Sequence, residues 1–319
     1  MQKVLLTEQI HPEASAFLRQ HFEVVQGTST TAEDIIRQAQ GCAGILIRSA
    51  KITAGIMDAL PDLRVIAKHG MGVDNIDVAC ASRKGILVVN APYSNLNAVA
   101  EHIAMLVLAL SKRAVRMDKL TRAGAFSQRN TYRTMELKDA VIGFIGMGKI
   151  SRLAVKKLSG FEARILASDP FVSQEEADGL GVAMVPPETV YRESDFVIVH
   201  TSLTPATFHL VGAEQLRMMK KTAYLVNAAR GAVVDEAALI RALEEGEIAG
   251  AGLDVFEEEP PAADNPLFRM DQVILSPHNA ALTDTALRAM AMDSALGVTE
   301  YLLGKPVTYP VNEKELKKS

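Results

Sequence analysis

The sequence predicts an α/β protein built from two doubly wound parallel-sheet domains. Short apolar runs alternate with segments of helical spacing along most of the 319 residues, which is typical of a parallel sheet covered by helices. The runs are continuously apolar and rich in β-branched residues, as in residues 141–145, and this favours strands buried on both faces. The chain is also too long for one small core, so two domains are expected.

The composition narrows the function classes. Hydrophobic residues make up 48% and charged residues 23%, which is typical of a soluble globular protein. A net charge of −4 gives no electrostatic reason to bind nucleic acid or an anionic membrane. Cys42 and Cys80 belong to no paired motif, so we expect neither a disulfide framework nor a structural zinc site. The first seven residues resemble a strand rather than a signal peptide, and a cytoplasmic location is therefore expected.

The first 95 residues alternate closely enough to form a domain of their own. After it, a helix is predicted over residues 97–123, followed by a polar loop at 126–136. The predicted strands of this first domain are residues 4–6, 23–25, 44–47, 65–67 and 87–89, and its predicted helices are 12–21, 31–40, 53–60 and 75–84.

Strands and helices alternate again in a second domain, and the last predicted helix then leads back to the first domain. The predicted layout is a discontinuous domain of residues 1–98 plus 283–319, an inserted domain of residues 99–282, and a cleft between them as the reaction chamber. Further strands are predicted at 164–167, 196–200, 223–227, 250–254 and 272–275, and further helices at 187–192, 213–219, 236–245 and 283–303.

A glycine turn follows the strand at 141–145 and opens an amphipathic helix. Gly146 permits a tight turn, and Gly148 permits close approach of a pyrophosphate to the helix N-terminus. Asp169 follows the next strand, 21 residues after Gly148, at the distance of the ribose-binding acid in a Rossmann βαβ unit. Its carboxylate would repel a 2′-phosphate, so NAD is favoured over NADP. Ser151 stands where a third glycine is usual.

Three polar residues follow predicted strand ends of the second domain. Arg230 could bind a substrate carboxylate through its planar guanidinium, and His278 could exchange a proton with a substrate hydroxyl. Glu259 could hydrogen-bond the imidazole and fix its tautomer. Each residue also has an ordinary interpretation. His278 could be a turn residue, Glu259 could simply belong to the acidic run 257–259, and Arg230 could cap a helix or form an ion pair. Their joint placement favours a catalytic set that needs no metal.

Several motifs give the chain a specific resemblance to the NAD-dependent D-isomer-specific 2-hydroxyacid dehydrogenases. Within that family it is most similar to D-3-phosphoglycerate dehydrogenases without the added C-terminal regulatory domains. The resemblance implies a flavodoxin-like substrate domain and a Rossmann NAD-binding domain. The matching stretches cover nearly the whole chain and are residues 47–53, 72–77, 100–102, 146–150, 229–236, 252–260 and 276–278.

The resemblance also implies roles for individual residues. Arg230, Glu259 and His278 would form the catalytic set. The loop containing Met71 and Gly72 would present amides to the substrate carboxylate. A substrate-binding role is further implied for Arg48, near a phosphate, and for Arg230, while cofactor contacts are implied for Gly146, Gly148, Lys149, Ile150, Asp169, Thr201, Ala228, Asp254, His278 and Ala281.

The predicted function is hydride transfer between NAD and a D-2-hydroxy acid or its 2-oxo acid, with 3-phosphoglycerate and phosphohydroxypyruvate as one pair. A hydroxypyruvate or glyoxylate reductase is the alternative, because Met71, residues 279–281 and Phe126 depart from the pattern common in phosphoglycerate dehydrogenases. Arg48 suits an anionic substrate tail but is also compatible with a surface ion pair. An NAD(H)-sensing corepressor-like scaffold is a third hypothesis. A homodimer formed through the NAD-binding domain is implied by the resemblance.

Overall fold

The computed structural model describes residues 1–316, which form two compact units. Unit 1 comprises Met1–Asn95 together with the segment that starts at Ala281. Unit 2 comprises Leu96–Ala280. Each unit has its own parallel sheet and its own apolar core, and each is described by itself below.

Unit 1 contains a five-stranded sheet in which every neighbouring pair is parallel. Its order, β2-β1-β3-β4-β5, is the flavodoxin-like order and confirms the predicted fold class for this unit. The strands are β1 (Lys3–Leu6), β2 (Glu23–Gln26), β3 (Cys42–Ile47), β4 (Val65–Lys68) and β5 (Leu87–Val89).

Helices cover both faces of this sheet, which is why β3 is buried along its whole length. The C-terminal segment returns to the sheet, where the Val311 N–H donates to the Val88 carbonyl oxygen at 2.8 Å. The helices of unit 1 are α1 (Pro12–Arg19), α2 (Ala32–Gln38), α3 (Ala54–Asp58), α4 (Val78–Arg83), α12 (Asp284–Leu302) and α13 (Glu313–Leu316), numbered in chain order with those of unit 2 below.

Unit 2 contains a seven-stranded sheet, again with parallel pairs throughout. The order is β12-β11-β10-β9-β6-β7-β8, so the strand order reverses at β6, as in a Rossmann sheet. The strands are β6 (Val141–Ile145), β7 (Arg164–Ser168), β8 (Val182–Met184), β9 (Phe196–Val199), β10 (Tyr224–Asn227), β11 (Gly250–Leu253) and β12 (Val273–Leu275).

The helices of unit 2 pack on both faces of this sheet. Two short elements, β8 and the helix before it, are absent from the sequence prediction, because three- and five-residue segments carry little periodicity. The helices are α5 (Leu96–Ser111), α6 (Ala114–Arg122), α7 (Lys149–Leu158), α8 (Gln174–Asp178), α9 (Pro187–Glu193), α10 (Ala213–Met218) and α11 (Glu236–Glu244), with short 3-10 helices at Phe126–Thr131, Ser159–Phe161, Gly231–Val233 and Pro266–Arg269.

The prediction of one helix over residues 97–123 is wrong. Arg113 adopts a left-handed conformation with φ +50°, which separates α5 from α6. A left-handed L-residue cannot continue a right-handed helix, so the chain changes direction there. The predicted apolar stripe lies in α5 alone, whereas α6 has no buried residue.

Two further features bear on the protein's environment. Among residues 1–316, no helix combines the length and apolar character required to cross a membrane. Cys42 and Cys80 are both buried and unbonded to each other.

Candidate active site

The loops that follow β6, β7, β9, β10, β11 and β12 lie at one edge of the unit 2 sheet. The strands are parallel and adjacent, so their carboxyl ends share that edge. In doubly wound sheets this is the edge at which ligands bind. The candidate residues of unit 2 are on these loops or at the start of the helix that follows β6.

The glycine turn after β6 has the geometry that close approach of a phosphate requires. Gly146 has φ +95°, and a Cβ at this position would lie 2.5 Å from the His200 carbonyl oxygen. Gly148 is the N-cap residue of α7, and the space where its Cβ would project is open. The turn therefore exposes backbone without side chains at the N-terminus of a ten-residue helix, where amides and the helix dipole favour an anion.

Asp169, just beyond the end of β7, is bonded to the same turn. One carboxylate oxygen accepts a hydrogen bond from the Met147 N–H at 2.8 Å, and the other accepts from the Phe171 N–H at 2.9 Å. Carboxylate oxygens can accept more than one hydrogen bond, so Asp169 can still receive bonds from ribose hydroxyls. The structure thus brings Asp169 to the turn, as the spacing predicts.

The remaining cofactor candidates of unit 2 lie at the same edge of its sheet. Lys149 and Ile150 form the first turn of α7, and Ala228 follows β10. Thr201 follows β9, and its Oγ1 is buried without a hydrogen-bond partner among the described residues. A buried hydroxyl without a partner beside an open glycine turn fits a bound nucleotide. Ala281 is the first residue of the second segment of unit 1.

Ser151, at the position of the usual third glycine, is completely buried in α7. Its Oγ also has no hydrogen-bond partner among the described residues. The small side chain therefore takes up space between helix and sheet without forming a polar contact. This agrees with the role of a small residue in close helix packing.

His278 and Glu259 form the central pair of the site. His278 Nδ1 lies 2.7 Å from Glu259 Oε2, and Glu259 Oε1 accepts a hydrogen bond from the Phe256 N–H at 3.2 Å. Burial raises the pKa of Glu259, but the hydrogen bond and charge of His278, the Phe256 amide and the charge of Arg230 outweigh burial and lower it overall. Glu259 is therefore ionised at neutral pH, as a group that orients an imidazole must be.

Arg230 lies on the loop after β10, next to the Glu259 loop. The Asn227 side chain donates to the Arg230 carbonyl oxygen at 2.9 Å, and Arg230 Nη1 donates to the Ala229 carbonyl oxygen at 2.7 Å. A Cβ at Gly231 would lie 1.8 Å from the Phe256 carbonyl oxygen, so only glycine allows the two loops to approach this closely. Glycine at this position thus brings Arg230 and Glu259 together.

His200, directly after β9, is a partly buried histidine near Arg230. Burial and the charge of Arg230 lower its pKa to about 4, so the imidazole is neutral at neutral pH. Its Nδ1 is buried with no hydrogen-bond partner among the described residues. Because His200 is neutral, it adds no positive charge next to the Arg230 guanidinium.

Asp254 is completely buried and organises the loop after β12. Its Oδ1 accepts hydrogen bonds from the Ser276 hydroxyl at 2.6 Å and the Asn279 N–H at 2.9 Å. Its Oδ2 accepts from the Ala280 N–H, also at 2.9 Å. The resemblance implies a cofactor contact for Asp254, and in the structure its carboxylate also binds the loop that carries His278.

A second carboxylate network, formed by Glu236 and Glu257, was not identified from the sequence. The Glu236 N–H donates to Glu257 at 3.1 Å, and the Glu257 N–H donates to Glu236 at 3.0 Å. His209 Nε2 lies 2.8 Å from Glu257, and the Asn265 side chain donates to Glu236 at 2.7 Å. Two residues of the acidic run 257–259 therefore have different roles. Glu257 fixes the loop, and Glu259 contacts His278. No spacing rule predicts such reciprocal bonds between residues 21 positions apart.

In unit 1, Arg48 follows β3 and is fixed through its backbone. Its N–H donates to Glu8 at 2.9 Å, and Glu8 also accepts hydrogen bonds from Ser49 and Thr7. Burial raises the pKa of Glu8, but these bonds outweigh burial and lower it to about 2. The Arg48 guanidinium donates to the Gln9 carbonyl oxygen at 3.2 Å, and within residues 1–316 no carboxylate pairs with it.

The glycine-bearing loop of unit 1 begins directly after a buried histidine. His69 is 7% exposed, and burial together with the charge of Arg48 lowers its pKa to about 4. Its Nε2 lies 3.3 Å from the Leu287 carbonyl oxygen in α12. Met71 is exposed, and its carbonyl oxygen accepts a hydrogen bond from the Asn90 side chain at 2.7 Å, which fixes the loop next to Gly72.

Comparisons with known proteins identify the family of the chain. Residues 104–280 match the family model of the D-isomer specific 2-hydroxyacid dehydrogenase NAD-binding domain. A D-3-phosphoglycerate dehydrogenase of Archaeoglobus fulgidus is 39% identical over 312 residues, which cover 97% of this chain and 59% of that protein. The chain thus spans about three fifths of the length of the phosphoglycerate dehydrogenases that it matches.

Other relatives match over nearly their full length. A glyoxylate reductase of Thermofilum pendens is 38% identical over 324 residues, covering 99% of this chain and 96% of that protein. The solved structure of an NADPH-dependent glyoxylate/hydroxypyruvate reductase from Sinorhizobium meliloti, in complex with NADP and malonate, has a TM-score of 0.88 at 28% identity, with 99% and 97% of the two chains covered. Unit 2 contains a Rossmann sheet, a glycine turn with its acid, and a paired histidine and carboxylate, and this chain belongs to the D-isomer specific 2-hydroxyacid dehydrogenase family.

Proposed function

We propose that this protein is an NAD-dependent oxidoreductase that interconverts a D-2-hydroxy acid and a 2-oxo acid. The observation that carries the proposal is the 2.7 Å contact between His278 and Glu259, beside a loop that carries Arg230. A proton-exchanging group, its orienting carboxylate and a fixed positive charge are the groups that this reaction requires.

The turn after β6 is the proposed cofactor site. The backbone at Gly146 and Gly148 and the first turn of α7, at Lys149 and Ile150, would receive the pyrophosphate, and Asp169 would accept hydrogen bonds from the adenosine ribose. NAD, when bound, supplies the hydride acceptor of the oxidation and, as NADH, the hydride donor of the reduction. The other proposed cofactor contacts are at Thr201, Ala228, Asp254, His278 and Ala281.

The catalytic roles follow from what each side chain can offer. His278 Nε2, opposite the nitrogen that faces Glu259, would take the substrate hydroxyl proton during oxidation and return it during reduction. Glu259 would hold Nδ1 and stabilise the imidazolium that forms. Arg230 would bind the substrate carboxylate and polarise the C2 oxygen, since a guanidinium keeps its charge throughout.

The substrate is proposed to carry a second anionic group, as 3-phosphoglycerate and phosphohydroxypyruvate do. Arg48 supports this, because its backbone is fixed by Glu8 and its guanidinium has no carboxylate partner among the described residues. The amides of the loop at Met71 and Gly72 would receive the substrate carboxylate. The 39% identity to a D-3-phosphoglycerate dehydrogenase gives further support.

A reductase acting on hydroxypyruvate or glyoxylate is the second candidate. It is supported by relatives named glyoxylate reductase that match over 96% and 97% of their own length. The exposed Met71 side chain also supports it, because an apolar group would not favour a phosphate. The two candidates differ in whether the rate depends on an anionic tail and on Arg48.

Initial-rate measurements with NADH and a panel of 2-oxo acids test the proposal. The panel is phosphohydroxypyruvate, sulfopyruvate, hydroxypyruvate, glyoxylate and larger 2-oxo acids. The Arg48→Ala variant should lower kcat/KM for the phosphorylated or sulfonated substrates by roughly tenfold or more, the value of one charged hydrogen bond, and leave that for glyoxylate unchanged. An unchanged kcat/KM for every substrate contradicts the anionic-tail proposal. Tight NADH binding without turnover across the panel would instead favour the scaffold hypothesis.

We further propose a homodimer formed through unit 2 and a cytoplasmic location. Helix α6 has no buried residue. Its Val115 is 42% exposed, and Phe126, a few residues after the helix, is 62% exposed, so this region has apolar surface that a second copy would cover. Two buried, unbonded cysteines suit a reducing compartment. Light scattering of the protein and of the Val115→Asp variant would test the dimer, since a charge in a subunit contact should shift the mass toward the monomer.

A further inference from the structure

A partly buried chain of hydrogen bonds connects helix α5 to the loop that carries His278. His102 Nε2 lies 3.0 Å from Ser276 Oγ, and Ser276 Oγ donates to Asp254 Oδ1 at 2.6 Å. A hydroxyl has one proton, so Ser276 must accept from His102 when it donates to Asp254. The Nε2 atom of His102 therefore carries a proton, and the chain runs in one direction from imidazole to hydroxyl to carboxylate.

His102 is suited to this donor role. Its side chain is 14% exposed, and burial lowers its pKa, although the charge of Asp254 acts in the opposite direction. The imidazole is therefore neutral at neutral pH, with its single N–H directed at Ser276. The direct distance to Asp254 Oδ1 is 3.5 Å, so the hydroxyl is the closer partner.

At the other end of the chain, Asp254 determines the backbone at His278. Its carbonyl oxygen accepts a hydrogen bond from the His278 N–H at 2.7 Å, while its carboxylate accepts from the N–H groups of Asn279 and Ala280. Three consecutive amides are thus bound to one residue. His278 itself has φ +49°, a left-handed conformation that costs about 1 kcal/mol or more in a residue with a side chain. Bonds from Asp254 offset that cost and direct the imidazole toward Glu259.

We propose that His102 is a positioning residue for His278, acting through Ser276 and Asp254. The inference rests on the proposed function, in which His278 exchanges the substrate proton. His102 fixes Ser276, Ser276 fixes the Asp254 carboxylate, and Asp254 fixes the loop in which His278 adopts its left-handed conformation. A displacement of about 1 Å in a reacting group can cost roughly a hundredfold in rate, so a small change in this chain affects catalysis.

The kinetic test compares three variants in the full chain. His102→Leu removes the donor, whereas His102→Gln retains an N–H donor at similar reach. Ser111→Ala is the matched control, because Ser111 is a buried residue of the same helix whose hydroxyl donates to the nearby Leu108 carbonyl oxygen. His102→Leu should lower kcat by roughly tenfold to a hundredfold and weaken NADH binding by a clearly smaller factor, since Asp254 and His278 are also proposed cofactor contacts. His102→Gln should recover most of the loss, and Ser111→Ala should match the wild type.

Double substitution tests the order of the chain. In a Ser276→Ala background, His102→Leu should cause a clearly smaller loss of kcat than in the wild type, since the connection is already broken. Equal losses in the two backgrounds would overturn the proposal. So would an unchanged kcat in His102→Leu, a parallel loss of kcat and NADH affinity, or a loss of similar size in Ser111→Ala.

A measurement without turnover separates this inference from the proposed function. The protein has seven histidines, so selective 13C-histidine labelling gives a tractable NMR spectrum, with the His278 ring signal assigned from His278→Ala. His102→Leu and Ser276→Ala should shift or broaden that signal, and Ser111→Ala should not. An unperturbed His278 signal in both variants overturns the positioning role, even if the wild type reduces no 2-oxo acid. A perturbed signal in an inactive wild type supports the positioning chain while rejecting the proposed function.

Discussion

His278 Nδ1 and Glu259 Oε2 lie 2.7 Å apart, within the range of a charge-assisted hydrogen bond. The two residues are 19 positions apart, on the loops after two neighbouring strands, β12 and β11. This pairing leaves Nε2 of the imidazole as the nitrogen available to a substrate. The catalytic predictions depend on this arrangement.

His278→Ala should lower kcat by roughly a hundredfold to ten thousandfold, the usual contribution of a general acid or base. NADH binding should persist, because the glycine turn and Asp169 belong to other loops. The measurements are steady-state kcat and the Kd of NADH from its fluorescence. Retained turnover would remove His278 from the proposed mechanism.

Glu259→Gln tests the carboxylate separately from the imidazole. The amide keeps the size of the side chain but loses the charge that stabilises an imidazolium, a difference of about 2 kcal/mol for a charged hydrogen bond. We expect kcat to fall by roughly tenfold to a hundredfold. Glu258→Gln, at the next exposed position of the acidic run, is the control and should retain full activity. Equal losses in the two variants would indicate a general effect of negative charge.

Asp169→Ala should weaken NAD binding and reduce the preference for NAD over NADP. The variant loses the ribose contact and the bonds to the Met147 and Phe171 amides, and it removes the charge that repels a 2′-phosphate. The measurement is kcat/KM for both cofactors. The NADPH-dependent reductase of S. meliloti is a natural reference for the opposite preference. Unaltered cofactor selectivity would rule out the ribose contact.

Glu257→Gln should lower both stability and kcat, because Glu257 fixes the loop that carries Glu259. The amide oxygen can accept a hydrogen bond from the Glu236 N–H or from His209. It lacks the negative charge of the carboxylate, which strengthens both contacts. A loss of about 1 to 2 kcal/mol is expected for a partly exposed charged bond, measured as a lower Tm. His209→Gln should produce a smaller loss, since one contact is removed. An unchanged Tm in both variants would contradict this role of the network.

The fold and the central site were predictable from the sequence because they depend on local patterns. Buried parallel strands are continuous apolar runs, and the turn at Gly146 and Gly148 has a fixed spacing to Asp169. The parts that were not predicted depend on distant residues. The break at Arg113 occurs within a continuous helical pattern, and the Glu236 and Glu257 bonds form between separate loops. The contact of Asp254 with the loop of His278 could not be predicted either, because it depends on which backbone amides lie near the carboxylate.

His69 gives a prediction for the pH dependence of stability. Its pKa is lowered from near 6.5 to about 4, mainly by burial and then by the charge of Arg48, with Lys68 adding to the same effect. As the pH falls below 6.5, the unfolded chain binds a proton at this histidine while the folded chain does not. The contribution to stability, about 3 kcal/mol in total, is therefore present above pH 6.5 and lost as the pH falls to 4.

The measurement that isolates this term compares the change in Tm between pH 7 and pH 5 in the wild type and in His69→Asn, because His200 and His102, whose pKa values are also lowered, contribute to both proteins. Glu8, with its pKa lowered to about 2, loses its contribution only below pH 4.5 and does not interfere in this range. His69→Asn will lose the Leu287 contact at every pH, so its absolute Tm is lower. Its Tm should nevertheless fall less between pH 7 and pH 5 than that of the wild type, by several degrees, because about 2 kcal/mol of the wild-type loss occurs in this interval. A Tm difference equal to the wild-type value would show that His69 does not titrate as a buried neutral group.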